Sequence, residues 1–425
     1  MDPIELSDAL WNGTATTAEA DNHPVTAIDG LGEVTDGVAF VKNLANSAVI
    51  TTGDGMLVVD TGHSMTAPFI KDAIREWTDE PMVRAVWSHG HVDHVFGVEL
   101  YEAENADRGL PAPIVHAHEA MPARFERYAL TGGYNSVINS RQFGLPVQFP
   151  TEFRPPDQLH GASTSFDVNG MQVLCFHDKG ETDDHTWTWI PEKKVLCTGD
   201  LFIWASPNCG NPQKVQRYPR EWAVALRKMA ALEPEFLLPG HGWPVIGKER
   251  VHAALTDTAA YLESIVEQSL ALMNEGARLD DLIHTVAPPS ELADKPYLQP
   301  VYDEPEFIVR NIWRLYGGWY DGNPAHLHPP RERDLASELA DLAGGAAALA
   351  QRALDVADRG DLRLAGALAE LAREAAPDDA TVVEIHAHVY TRRTEAASST
   401  MATGVYRWAA GNSGGQHGHG HGHSH

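Results

Sequence analysis

Four potential metal ligands stand within six positions of one another, directly behind an apolar run. The run is Met82-Val83-Arg84-Ala85-Val86-Trp87, and the ligands follow in Ser88-His89-Gly90-His91-Val92-Asp93-His94. A short apolar run of this kind reads as a buried strand. Imidazole and carboxylate together suit zinc and similar divalent ions. On an extended segment alternate side chains share a face, so His89 and His91 are expected to grip one ion. Asp93 and His94 are adjacent, point apart, and start a second site beside the first. Two ions are therefore expected, with the remaining ligands coming from further along the chain. The alternative is a solvated histidine patch, and a strand running straight into four ligands argues against it.

A chain of 425 residues, 43% of them hydrophobic, has room for two or three domains with a sizeable core. The net charge of −27 argues against nucleic acid, because phosphate binding needs a basic face. No apolar run approaches the ~20 residues of a membrane span. The first residues show no basic region followed by an apolar stretch, so a cytoplasmic enzyme is expected. Cys175, Cys197 and Cys209 are too few and odd in number for a disulfide framework.

The expected organisation has four parts. Residues 1–35 are polar and rich in small residues, and read as a loose arm. Residues 36–250 read as an α/β domain. It opens with a hairpin, Ala48-Val49-Ile50 and Met56-Leu57-Val58-Val59, then a helix from Pro68 to Trp77 and the strand at 82–87. Residues 101–165 look irregular, and long irregular segments are often functional. Residues 251–410 are alanine- and leucine-rich with helical period, and include one tetratricopeptide-like helix pair around residues 353–377. One such pair is no solenoid, so packing or dimerisation is expected of it. The tail at 411–425 alternates glycine and histidine; it is either a natural metal-gathering segment or an added one, and stands outside the fold.

Ser-His-Gly-His-Val-Asp-His resembles the metal motif of the metallo-β-lactamase superfamily, whose αββα sandwich the resemblance implies here. Further landmarks are similar. Val195-Leu196-Cys197-Thr198-Gly199-Asp200 ends in the family's metal-bridging carboxylate, and Phe236-Leu237-Leu238-Pro239-Gly240-His241 ends in its last histidine ligand. Asp60 closes an early strand where the family holds an aspartate near the metals; it is expected to orient a ligand. In Gly180-Glu181-Thr182-Asp183-Asp184-His185, Glu181 replaces the histidine that most relatives carry. That glutamate is similar to the alkylsulfatase branch. The helical part, with Gly317-Gly318-Trp319-Tyr320-Asp321-Gly322, Glu338-Leu339-Ala340-Asp341-Leu342 and Asp358-Arg359-Gly360-Asp361, resembles that branch's dimerisation domain. The resemblance runs from about residue 36 to 410. Three departures stand against it: no sterol-carrier-like C-terminal domain is expected, Asp200 replaces the usual glutamate bridge, and His241-Gly242-Trp243-Pro244 replaces His-His-Trp-Pro.

The resemblance implies His89, His91 and Glu181 on one ion, Asp93, His94 and His241 on the other, and Asp200 with a water between them. Two divalent ions, expected to be zinc, would make hydroxide from water near neutral pH. Three carboxylates and a hydroxide leave such a cluster near neutral, so an anionic substrate needs cations. Arg217 and Lys214, in the loop after Asp200, are candidates, since guanidinium pairs bidentately with oxyanions. The resemblance adds Arg141 and, less directly, Asn46 and Tyr134; His177 and His185 flank Glu181. The expected function is hydrolysis of alkyl sulfate esters by a homodimer. Other ester classes (lactones, carboxylic esters, phosphodiesters) and an iron or manganese redox enzyme on the same scaffold are the alternatives.

Overall fold

Apolar runs up to residue 246 form two mixed sheets whose central strands are covered on both faces, which is why those strands read as continuous hydrophobic segments. In a computed structural model of the chain, residues 2–26 and 30–412 are described; most of the Gly/His tail lies outside them. One sheet is ordered β1 (Gly30–Thr35), β2 (Val38–Lys42), β3 (Ser47–Thr51), β4 (Met56–Val59), β5 (Met82–Val86), β6 (Ile114–His118) and β7 (Gln158–His160). The other holds β8 (Ser163–Val168), β9 (Met171–His177), β10 (Thr186–Ile190), β11 (Val195–Gly199), β12 (Phe236–Pro239) and β13 (Val245–Ile246), each beside the next. β2, β4 and β11 are buried along their whole length. Val38, Phe40, Ile50, Leu57 and Val86 of the first sheet meet Val173, Cys175, Val195, Cys197 and Leu238 of the second.

The pairs β4–β5 and β11–β12 are parallel. Their carboxyl ends therefore emerge side by side, where active sites form in sheets of this kind. The outer face of the second sheet is covered by α1 (Pro3–Trp11), a helix at Pro219–Ala230 and a long helix at Lys248–Asn274, through Leu6, Leu10, Trp222, Leu226, Leu255 and Leu262. This is a correction to the loose arm expected at 1–35: Leu6 and Leu10 are buried, Asp2 caps the helix, and Ser7 donates to the Pro244 carbonyl. A second correction concerns residues 101–165, which hold the helices Met121–Leu130 and Gly132–Phe143 and the end of Val98–Asp107 as well as β6 and β7.

The chain divides into two compact units, Met1–Gly132 with Pro150–Trp319, and Gly133–Phe149 with Tyr320–His425. The boundary expected at 250/251 falls inside the first unit, because the helix at Lys248–Asn274 packs against Pro219–Ala230 and Pro305–Gly317. The second unit is all helical, with helices Glu332–Leu342, Ala346–Asp358, Leu362–Ala375, Ala380–Ala396 and Thr400–Asn412. Its core is mainly alanine with Leu349, Val356, Val382, Ile385 and Val389, and small side chains let these helices approach closely. Arg141 and Tyr134 belong to this unit; the Arg141 guanidinium lies 5.9 Å from the Trp408 ring centroid. All three cysteines are free and buried. Among the described residues no helix is long and apolar enough to cross a membrane.

Candidate metal centre

The motif after β5 does not continue as a strand. His94 N–H donates to the His91 carbonyl at 3.2 Å, so residues 91–94 turn back on themselves, and the alternation expected for an extended segment is lost. The turn still brings the His89 Nε2 and His91 Nδ1 atoms to 2.8 Å from each other. Two groups of ligand atoms result: His89, His91, Glu181 and Asp200, and Asp93, His94 and His241, each group within 4.8 Å. Asp200 faces both groups. Its Oδ2 lies 3.3 Å from His241 Nε2 and 3.8 Å from His89 Nε2, and its Oδ1 lies 3.5 Å from His94 Nε2. Glu181 Oε2 stands 3.2 Å from His89 Nε2 and 3.3 Å from His91 Nδ1.

The Glu181 spacings to His89 and His91 and the Asp200 spacings to His94 and His241 fit ions. Ligand bonds of about 2.0–2.2 Å at tetrahedral angles place neighbouring donor atoms about 3.3–3.6 Å apart. Three of the converging atoms, His94 Nε2, Glu181 Oε2 and Asp200 Oδ1, are buried without a hydrogen-bond partner. Buried polar atoms rarely stay unsatisfied, and orphaned ligand atoms in both groups are what a pair of cations would complete.

Behind the ligands, local structure fixes each ring. Asp60 ends β4 with φ +58°, a left-handed conformation that costs energy in a non-glycine residue. Its Oδ1 accepts from Ser88 N–H and its Oδ2 from Ser88 Oγ–H, both at 2.7 Å. The same Oδ2 lies 2.8 Å from His94 Nδ1. His241 Nδ1 is 2.6 Å from the Leu44 carbonyl, and Asn46 donates to the carbonyls of Pro239 and Gly242 around it. Asn46 thus braces the His241 loop. Gly240 is required, because a Cβ there would strike Asp200 Oδ1. His185 is 2.9 Å from the Thr198 carbonyl through Nε2, and His177 is 2.8 Å from the His185 carbonyl through Nδ1. Both stand behind the ligand groups.

The expected anion-gripping role of Arg217 meets a different geometry. Its Nη1 is 2.6 Å from Glu181 Oε1 and donates to the Glu181 carbonyl at 2.9 Å. The side chain is buried and committed to Glu181. Lys214 lies near enough to Asp93 and Glu181 to feel their charges; burial, with Arg217 adding to it, lowers its amine to about 8. Several residues here gave no sequence signal. Asn208 donates to Glu181 Oε1 at 2.5 Å. Asp184 accepts from Gly90 N–H at 3.0 Å and from Arg124 Nε–H at 2.9 Å, which anchors the histidine loop. Asp303 accepts from Gly210 N–H at 2.6 Å, holding the loop that carries Asn208. Tyr302 is pushed up by burial and by the carboxylates of Asp93, Glu181 and Asp200. Of these only Asp184 lies in one of the sequence motifs, Gly180–His185, and nothing in that motif shows its contact with Gly90.

Fold and geometry together define an αββα protein with an imidazole–carboxylate centre suited to two cations. Residues 42–241 match the model of the metallo-beta-lactamase superfamily, and residues 278–415 match that of alkyl sulfatase dimerisation. A linear primary-alkylsulfatase of Pseudomonas sp. (strain ATCC 19151) is 26% identical over 81% of this chain and 69% of its own length. An (R)-specific secondary-alkylsulfatase of Pseudomonas sp. is 26% identical over 85% of this chain and 57% of its own. The solved structure of a stereoselective inverting sec-alkylsulfatase from Pseudomonas sp. superimposes with a TM-score of 0.82 at 24% identity, covering 91% of this chain and 66% of that one. The chain thus spans between about half and about two thirds of these relatives' lengths. Residues 42–241 thus form a domain of the metallo-beta-lactamase superfamily type, followed at 278–415 by one of the alkyl sulfatase dimerisation type.

Proposed function

We propose that this chain hydrolyses alkyl sulfate esters with two divalent ions, zinc in the working enzyme, and acts as a homodimer. The observation that carries the reading is the convergence of seven ligand residues on two adjoining points that share Asp200. The substrate class is supported by similarity to alkylsulfatases over more than four fifths of the chain, and the homodimer by the dimerisation model at 278–415. Three buried free cysteines fit a reducing, cytoplasmic setting.

His89, His91 and Glu181 would hold one ion and Asp93, His94 and His241 the other, with Asp200 reaching both. Bound there, the ions supply Lewis acidity that activates water and offsets charge in the transition state. Around that centre the chain does the positioning. Asp60 and the Leu44 carbonyl fix the faces that His94 and His241 present. Asp93 is the most exposed carboxylate of the set, at 24%, and would take the proton of the attacking water. Lys214 would hold the sulfate oxygens.

The test sets purified protein against alkyl sulfates, with lactones, carboxylic esters and phosphodiesters in parallel and elemental analysis of the same material. Turnover confined to the non-sulfate esters would refute the substrate assignment, and iron or manganese in place of zinc would refute the metal.

A further inference from the structure

Glu181 offers its two oxygens to different partners. Oε2 faces His89 and His91 and has no hydrogen-bond partner, whereas Oε1 takes Arg217 Nη1 at 2.6 Å and Asn208 Nδ2 at 2.5 Å. Glu181 is 1% exposed and Arg217 2%, so solvent screens this pair little. Arg217 is also fixed through its backbone. Its N–H donates to Asn311 Oδ1 at 3.2 Å and its carbonyl accepts from Asn311 Nδ2 at 3.0 Å. Its guanidinium is therefore held on Glu181 from the side opposite the ligand groups.

The charge count follows. The two ions would bring four positive charges, and Asp93, Glu181 and Asp200 remove three. With Arg217 bound to its far oxygen, Glu181 no longer counts as an uncompensated anion. We infer that Arg217 is the charge-compensating and positioning residue of the metal centre: the Glu181–Arg217 pair serves as an electrically neutral ligand, and the centre keeps a net positive charge with which to take an anionic substrate. Arg217 then acts through Glu181 rather than by wrapping the sulfate. This deepens the two-ion reading and rests on it.

The pair can be separated by substitution. Replacing Glu181 with histidine keeps a ligand atom but leaves the guanidinium buried beside two cations, which is strongly unfavourable for a charge stripped of its partner. Replacing Arg217 as well removes that charge. The experiment titrates zinc into metal-free wild type, Glu181→His, Arg217→Gln and the double variant against a competing chelator, with circular dichroism and melting curves on each. For Glu181→His the expected loss of affinity for the less tightly held ion is about 10- to 100-fold, as for other perturbations just outside a ligand shell; the double variant recovers most of it. Equal affinities for Glu181→His and the double variant would overturn the inference. If Glu181→His fails to fold and the double variant folds, the same repulsion is seen in the fold, and the inference stands. If both fail to fold, Arg217→Gln decides: a Michaelis constant raised for alkyl sulfates, together with a changed zinc affinity, supports compensation, whereas a raised Michaelis constant at unchanged affinity assigns Arg217 to the substrate instead and overturns it. Wild type that takes up no zinc would count against the two-ion reading itself, a result distinct from wild type that binds two ions and variants that show no rescue.

Discussion

At the residue scale, Asp60 lies in neither ligand group yet holds the residues behind them in place. One carboxylate orders Ser88 and His94 while its own backbone stays left-handed. Asparagine tolerates that conformation, so Asp60→Asn should fold while its amide opposes a donor. A loss of metal affinity of about 10- to 100-fold is expected; a chelator titration giving the wild-type constant would show that Asp60 does not tune the site. His94 makes a second prediction. Burial alone would lower its imidazole, but Asp200, Asp60 and Asp93 raise it to about 9 in the metal-free chain. An ion must displace that proton, so zinc affinity should climb between pH 6.5 and 9, and a flat profile would remove His94 from the ligand set. The sign for folding is opposite. The raised value contributes stability that is complete below the ordinary 6.5 and lost as pH rises through about 9. Melting curves of the metal-free chain should therefore fall over that interval. The ligands lie in short motifs and could be read directly from sequence. Asn208, Asp184 and Arg124 could not, because each reaches the centre from a separate loop or helix through one or two hydrogen bonds.

Elements set how well those contacts hold. Gly210 sits against the backbone of the helix at Pro305–Gly317, and a Cβ there would overlap Phe307 and Ile308. Gly210→Ala should force the loop off that helix, disturb Asn208, and cost about 1–3 kcal/mol in stability as overpacking does. Thermal melts of the variant and wild type check it. Leu10 of α1 is fully buried, and Leu10→Ala is expected to cost about 2–5 kcal/mol; a variant melting with wild type would return residues 1–35 to the status of a loose arm. The strands β3, β4, β5, β11 and β12 were legible because they are short apolar runs. The first of the helices in the 101–165 region was not: only Val98, Tyr101 and the polar Asn105 are buried in Val98–Asp107. In Gly132–Phe143 the polar residues Asn135, Asn139 and Gln142 are buried, which erases the apolar stripe that periodicity detects.

Across the whole molecule, composition separated an α/β part from a helical one. It misplaced the seam, since helices up to residue 317 complete the first unit. The helical character of Lys248–Asn274 is real, but its apolar face covers the second sheet, and a change of composition does not reveal which core a helix joins. The homodimer is checked by mass: sedimentation equilibrium at micromolar concentration should return twice 46.4 kDa, and a single-chain mass would remove dimerisation from the proposal. Asp200 Oδ2, which stands between His89 of one ligand group and His241 of the other, has a consequence for assembly of the proposed metal pair. Filling either position freezes the side chain that its neighbour needs, so uptake should be cooperative, half-charged molecules should be scarce, and the protein should behave as a switch between empty and full as free zinc rises.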